Sequence, residues 1–180
     1  MSKIIDIKAR QIIDSRGNPT IECDIILSGN YFGRASVPSG ASTGSHEAIE
    51  LRDNNSKLYH GKSVNNAIKN ILEIIKPKIL NKNYLNFQEF DKEIIKIDGT
   101  SNKSNMGANS ILALSLAFAK ALSLSENYKI YEFLTTDQNY SLPVPMMNII
   151  NGGTHADNNI DIQEFMIAPI GAKSFSEAVR

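Results

Sequence analysis

The run IECDIIL, residues 21–27, decides the fold of the first part of the chain. Its apolar side chains at positions 21, 23 and 25 alternate with acidic side chains at positions 22 and 24. This period of two is typical of a strand with one buried face. Residues 5–10 alternate in the same way, and residues 31–37 form a third candidate strand. The turn-forming runs DSRGNP and SGN separate the three segments. Together they predict a three-stranded antiparallel meander.

After the meander the apolar period changes to 3.6 residues, which is typical of helices. An apolar face over residues 64–75 predicts a first helix that ends before Pro77. Three further helices are predicted over residues 87–97, 107–124 and 129–134. The long third helix is apolar nearly all round, so we expect it to be central and buried. Strands followed by helices indicate an α+β domain over residues 1–136.

Residues 137–180 predict a different architecture. Two apolar runs, 146–150 and 165–170, are typical of strands covered on both faces, as in a βα barrel or a doubly wound sheet. SFSE at residues 174–177 is a capping box, which predicts the start of a helix. Two strands and one turn of helix cannot close a barrel. We therefore expect this sequence to be cut within its second domain.

Composition argues against several functional classes. Nineteen cationic and nineteen anionic side chains give a net charge of zero. No excess of positive charge therefore favours the binding of nucleic acid or anionic lipid. The longest apolar stretch, residues 111–124, is shorter than the roughly 20 residues of a membrane span, and the N-terminus has no signal-peptide pattern. The one cysteine, Cys23, lies on a strand face, where a buried apolar role is favoured over a reactive thiol. A lone cysteine also favours a reducing compartment.

PSGASTG, residues 38–44, is a loop of small and hydroxyl side chains directly after the third predicted strand. It lacks the Gly-Lys-Ser/Thr ending of a Walker A loop. Small residues let the backbone approach a ligand, and the hydroxyl of Ser42 with nearby carbonyls can ligate Mg²⁺. The alternative is a solvated loop leading to a helix capped by Ser45, and spacing alone favours this plainer interpretation.

Three polar residues stand near the ends of the two apolar runs. His155 follows the first run, where it can contact an anionic substrate or transfer protons. Glu164, next to Gln163, begins the second run, and a carboxylate buried there needs a partner and suits acid–base chemistry. The alternatives are a loop histidine and a structural ion pair. A zinc site with Asp157 and Asp161 lacks the usual His and Cys spacing.

Five segments of the chain together resemble the enolases, the phosphopyruvate hydratases. They are DSRGNPT at 14–20, PSGASTG at 38–44, NMGANSILA at 105–113, NIINGGTHAD at 148–157 and QEFM at 163–166. The resemblance covers the whole chain, and bacterial members look closest. It implies an N-terminal α+β capping domain of three strands and four helices. It also implies that the beginning of an αβ barrel follows, whose second strand runs antiparallel to the first.

The resemblance further implies a Mg²⁺-dependent lyase that interconverts 2-phosphoglycerate and phosphoenolpyruvate in glycolysis. In enolases a lysine base and two Mg²⁺ ions handle a highly charged intermediate. By resemblance, Ser42 ligates the second Mg²⁺ when its loop closes. His155 lies near the phosphate-bearing end, Glu164 positions and protonates the leaving hydroxyl, and Gln163 lines the pocket.

In enolases the catalytic lysine, a second acidic glutamate and the three carboxylates of the first Mg²⁺ lie farther along the chain. We therefore expect these 180 residues to be an N-terminal fragment without hydratase activity alone. The resemblance implies a cytoplasmic homodimer as the parent, with no membrane span and no direct nucleic-acid binding, and it allows a cell-surface or secreted pool.

Two other functions compete with this one. A non-catalytic interaction module built on the capping domain would not retain the two apolar runs, which would form an aggregation-prone patch without partners. A related enzyme acting on another carboxylate substrate fits the Ser42 loop and the GGTH run at 152–155 less well than enolase does.

Overall fold

The computed structural model describes residues 2–40, 44–137 and 139–180, without the side chains of Ser2 and Thr154. The described residues divide into two compact units. The first unit lies within residues 2–39 and 44–136, and the second contains Gly40 and lies otherwise within residues 137–180.

The sheet of the first unit has four strands in the order β3-β2-β1-β4, and all its pairings are antiparallel. The strands are β1 (Ser2–Ile13), β2 (Pro19–Leu27), β3 (Tyr31–Ser36) and β4 (Asn83–Tyr84). The predicted three-stranded meander is confirmed. The fourth strand was not predicted, because a two-residue segment carries no measurable period.

The alternation expected for β1 is shifted at its start. A bulge between Ile4 and Asp6 lets Ile4 and Ile7 both point into the core, while Ile5 is exposed. A bulge inserts one extra residue and therefore moves the following side chains to the other face. In β2 the predicted inward residues are fully buried, and burial raises the pKa of the Cys23 thiol to about 12. Cys23 is therefore the buried, unreactive side chain that the sequence favoured.

The first unit contains α1 (Asn65–Lys69), α2 (Lys76–Ile79), α3 (Phe87–Asp98), α4 (Ala108–Ser125) and α5 (Ile130–Phe133). A π-helical stretch, Asn70–Ile75, joins α1 to α2, so helical structure continues past Pro77. The predicted end before Pro77 is therefore wrong. Proline lacks an N–H and crowds the carbonyl four residues earlier. The wider π turns directly before it accommodate this irregularity.

Helix α4 is the centre of the core, as predicted, and it packs on β2 and β3. Among the described residues it is the one helix long and apolar enough to span a membrane by composition, but 61% of it is buried inside the protein. The Phe118 ring stacks on Phe90 with centroids 4.1 Å apart, and Tyr84 meets both rings edge-on. A Cβ on Gly33 would overlap the Ala117 carbonyl oxygen, so a glycine is needed where α4 approaches β3.

The second unit contains β5 (Met147–Asn151), β6 (Glu164–Ile167) and α6 (Phe175–Val179). β5 and β6 pair antiparallel, which confirms the strand direction that the enolase resemblance implies. The expectation of strands covered on both faces is wrong for these described residues, because β6 is exposed along its whole length. The capping box is confirmed in part, since Ser174 Oγ accepts from the Glu177 N–H.

Candidate functional site

The connection between β5 and β6 brings polar residues together. The Gly152 N–H donates to the Gln163 carbonyl at 3.0 Å, and the Gly153 N–H donates to the Ile160 carbonyl at 2.8 Å. A Cβ on Gly152 would overlap the Ile160 carbonyl oxygen and lie 2.6 Å from that of Ile162. Only glycine lets the returning chain cross so closely. The crossing sets the start of β6 against the end of β5.

His155 lies at the centre of this site, in a short 3-10 turn, Gly153–His155. Its Nδ1 atom is 2.9 Å from Oε1 of Glu164, and its Nε2 atom is 2.9 Å from Nε2 of Gln163. The structure therefore brings together the three residues that sequence reasoning singled out in this region.

Glu164 differs from its prediction in one respect. It was expected to be buried, but the residue is exposed, and its side chain retains 34% of its accessible surface. The reason is that β6 has no covered face among the described residues. The expected partner is present, because the carboxylate contacts His155. A carboxylate, an imidazole and an amide in contact can exchange protons and bind a polar substrate.

Ser42 lies outside the described residues, so its predicted role stays a prediction. Ser39, three residues earlier, is described, and its hydroxyl has two hydrogen bonds. It donates to Glu50 Oε2 at 3.1 Å and accepts from Arg52 Nη2 at 3.0 Å. Arg52 also donates to Glu50 at 2.6 Å. Sequence reasoning missed Glu50 and Arg52, because two charged residues in a segment without a period give no signal of a tertiary contact.

The alternative helix starting at Ser45 is absent. Residues 44–58 contain turns and irregular backbone but no helix or strand. His46 and His60 are exposed.

A charged cluster covers the outer face of the sheet in the first unit. Asp24 accepts from Arg10 Nη2 at 2.8 Å and from Arg34 Nε at 2.7 Å, and Arg10 Nε donates to Glu22 at 2.7 Å. The hydrogen bonds from Arg34 and Arg10 hold the pKa of the Asp24 carboxyl below its ordinary value. Each charge in this cluster has an opposite partner, so its contacts are those of a structural network.

A protein-bound metal ion needs several donor side chains placed close together. No group of three or more His, Cys, Asp or Glu side chains is placed there to hold a metal. Mg²⁺ requires a near-octahedral shell of oxygen ligands, usually with carboxylates among them. The described residues therefore do not form a Mg²⁺ site by themselves, and they do not form the zinc site considered for His155, Asp157 and Asp161.

Comparison with known protein families gives two matches. Residues 4–134 match the family described as enolase, N-terminal domain. Residues 139–180 match the family described as enolase, C-terminal TIM barrel domain. The first match covers well over half of the chain, and its α+β content agrees with the fold of the first unit. The chain therefore belongs to the enolase family.

Proposed function

We propose that this chain is part of a phosphopyruvate hydratase, the lyase that interconverts 2-phosphoglycerate and phosphoenolpyruvate in glycolysis. The observation that carries the proposal is the contact of His155 with Gln163 and Glu164 in a chain that matches both enolase domains. The exposed apolar side chains of β5 and β6 argue against the alternative, an interaction module built on the first unit alone.

The roles that we propose follow from the chemistry of these side chains. Dehydration removes a proton from carbon 2 and a hydroxyl from carbon 3 of the substrate. A protonated Glu164 carboxyl gives its proton to the departing hydroxyl, which then leaves as water. His155 contacts the anionic, phosphate-bearing end of the substrate, and Gln163 donates to substrate oxygens beside it.

Enolases generally use Mg²⁺, which stabilises negative charge developing on the substrate when it is bound. We propose that Ser42 supplies one oxygen ligand. The described residues hold no carboxylate cluster for such an ion. The proposal therefore assigns the other ligands, the lysine base and the second acidic glutamate to parts of a full-length enolase that are not among these 180 residues. For that parent we propose a cytoplasmic homodimer.

The first experiment is an assay of the purified 180-residue chain, expressed in a host without its own enolase. We expect no turnover of 2-phosphoglycerate, because the described side chains provide a hydrogen-bonded part of a site without a metal cluster. Turnover at a rate typical of enolases would contradict the proposal that the chain is incomplete. The intact mass of the native protein, measured alongside, would show whether the cell makes a longer chain.

The second experiment uses a full-length enolase that contains this sequence. Glu164→Gln should lower kcat by about 10²-fold or more, because general acid catalysis typically contributes this much. Glu126→Gln is the matched control, since Glu126 is exposed at the end of α4 in the first unit. An unchanged kcat in Glu164→Gln would remove Glu164 from the mechanism.

A further inference from the structure

The imidazole of His155 has a hydrogen-bond partner at each ring nitrogen, and the two partners differ in chemistry. Nδ1 faces the Glu164 carboxylate and Nε2 faces the amide nitrogen of Gln163, both at 2.9 Å. The His155 side chain retains 22% of its accessible surface. The ring is therefore partly sheltered from solvent.

These contacts determine which nitrogen carries the proton. An amide NH₂ group is a donor only, so the contact with Gln163 is a hydrogen bond when Nε2 of His155 accepts and carries no proton. The single proton of the neutral ring then lies on Nδ1, which donates to the acceptor oxygen of Glu164.

We propose that Gln163 is a positioning residue that selects the Nδ1–H tautomer of His155, and that its amide rotates when His155 becomes charged. Rotation by half a turn exchanges the nitrogen and oxygen of the amide with no movement of the backbone. The Gln163 oxygen then accepts from a protonated Nε2, while Glu164 still accepts from Nδ1. The imidazolium is thereby held by two acceptors through charge-assisted hydrogen bonds.

The functional consequence rests on the proposed function. A phosphoryl oxygen of the substrate can accept the same Nε2 proton in place of the Gln163 oxygen. Gln163 therefore holds the Nδ1–H tautomer of His155 while no anion is bound, and its rotation frees Nε2 to act as a donor when one arrives. Glu164 on β6 is the charged side chain in contact with the ring among the described residues, and Asp157 and Asp161 are exposed in the same connecting loop.

The test is a long-range ¹H–¹⁵N NMR spectrum of the labelled 180-residue chain without substrate, at alkaline pH, where neutral imidazole predominates. His46 and His60 are exposed and give the reference tautomer mixture in the same spectrum. For His155 we expect the Nδ1–H form to exceed the Nε2–H form by about fivefold or more, as one net hydrogen bond allows.

Two variants separate the role of Gln163 from that of Glu164. Gln163→Met keeps the length but removes the donor, so the His155 tautomers should move toward the reference mixture. Gln163→Glu offers only acceptors, so Nε2 should carry a proton and its signal should lose the character of an unprotonated nitrogen. Asn158→Ala is the control, because Asn158 donates to the Asn151 carbonyl at 2.9 Å in the same hairpin and, among the described residues, is not hydrogen-bonded to the ring.

A His155 tautomer mixture equal to that of His46 and His60 would overturn the proposal, as would a wild-type mixture in Gln163→Met. A changed mixture in Asn158→Ala would also overturn it, because loosening of the hairpin would then explain the effect. The spectra use no substrate. The tautomer prediction for His155 can therefore fail while the proposed hydratase function is supported, and it can hold while the proposed function fails.

Discussion

Gly152 is the single residue on which the contacts of His155 depend most directly. In Gly152→Ala the new Cβ would overlap the Ile160 carbonyl, so the backbone on one side must move. We expect the hairpin to lose about 1–3 kcal/mol, the usual cost of forcing an extra methyl into a filled space. Hydrogen exchange at the Gly153 N–H, which donates to Ile160, should accelerate accordingly.

Gly171→Ala is the matched control in the same unit, because a Cβ at Gly171 would meet nothing within 4 Å. Its hydrogen exchange should match that of the wild type. Equal exchange rates in the Gly152 and Gly171 variants would contradict the argument that the crossing at Gly152 fixes the hairpin.

Asp24 links the stability of the first unit to pH. Its side chain is only 4% exposed, and hydrogen bonds from Arg34 and Arg10 lower its pKa below the ordinary 3.8. A carboxyl with a lower pKa in the folded state stabilises the protein above the unfolded pKa, and this contribution is lost as pH falls through the folded pKa. We expect Asp24→Asn to reduce the free energy of unfolding by about 1–3 kcal/mol at neutral pH.

Urea unfolding at neutral pH and at acidic pH below 3.8, where the folded pKa of Asp24 lies, checks this prediction. The Asp24→Asn protein should lose less stability on acidification than the wild type. Asp161→Asn, at an exposed position of the second unit, is the control and should follow the wild type. An Asp24→Asn protein with the full acid dependence of the wild type would show that other carboxylates carry it.

At the scale of elements, α4 packs directly against β3 in the first unit. In Gly33→Ala the Cβ would overlap the Ala117 carbonyl and lie 2.5 Å from the Ala121 backbone nitrogen. The helix must then move away from the sheet and loosen the buried side chains around Phe118. We expect a loss of about 2–4 kcal/mol, measured by urea unfolding.

Leu124→Ala is the control on the same helix, because Leu124 is 54% exposed. Truncating it should cost less than about 1 kcal/mol. If both variants lose the same amount, the close approach at Gly33 is not what holds α4 against β3.

The regular elements were predictable because each apolar pattern repeats over many residues. The twelve residues of α3 and the eighteen of α4 each present several repeats, and α3 ends before Gly99, whose left-handed backbone suits a glycine. The π stretch before Pro77 was not predictable, because it keeps the apolar face of an α-helix and differs only in hydrogen bonding. Its cause, the missing proline N–H, was nevertheless visible in the sequence.

The sequence predicted which residues belong to the candidate site but not how they contact one another. The position of His155 after a strand and of Glu164 at the start of the next indicated that both were polar residues at strand ends. Their direct contact depends on the path of the loop, which returns over Gly152. No period or motif encodes that path. The exposure of Glu164 was missed because an apolar run indicates which faces can be covered and says nothing about what covers them.

At the scale of the whole molecule, the core belongs to the first unit. Every buried apolar side chain in the described part of the chain lies between Ile4 and Leu122. Segments with few buried contacts open most easily and are cleaved first. We expect limited proteolysis to cut first within residues 137–180 and to leave a resistant product close to residues 1–136, the domain boundary that we propose.

Mass spectrometry of the early digestion products checks this prediction. A thermolysin digest is suitable because the exposed side chains of β5 and β6 include Ile149 and Phe165. Early cuts within α3 or α4, at rates equal to those in residues 137–180, would contradict the proposed boundary.

The antiparallel pairing of β5 and β6 also affects when the site forms during synthesis. Parallel strands would need a crossover connection, usually a helix that must itself fold and pack, before they could pair. A hairpin instead closes within roughly 1–10 μs, whereas a ribosome adds only about 5–20 residues per second. We therefore expect His155 and Glu164 to meet as soon as both have left the ribosome. In a full-length enolase this early pair would give later barrel strands a fixed register to join.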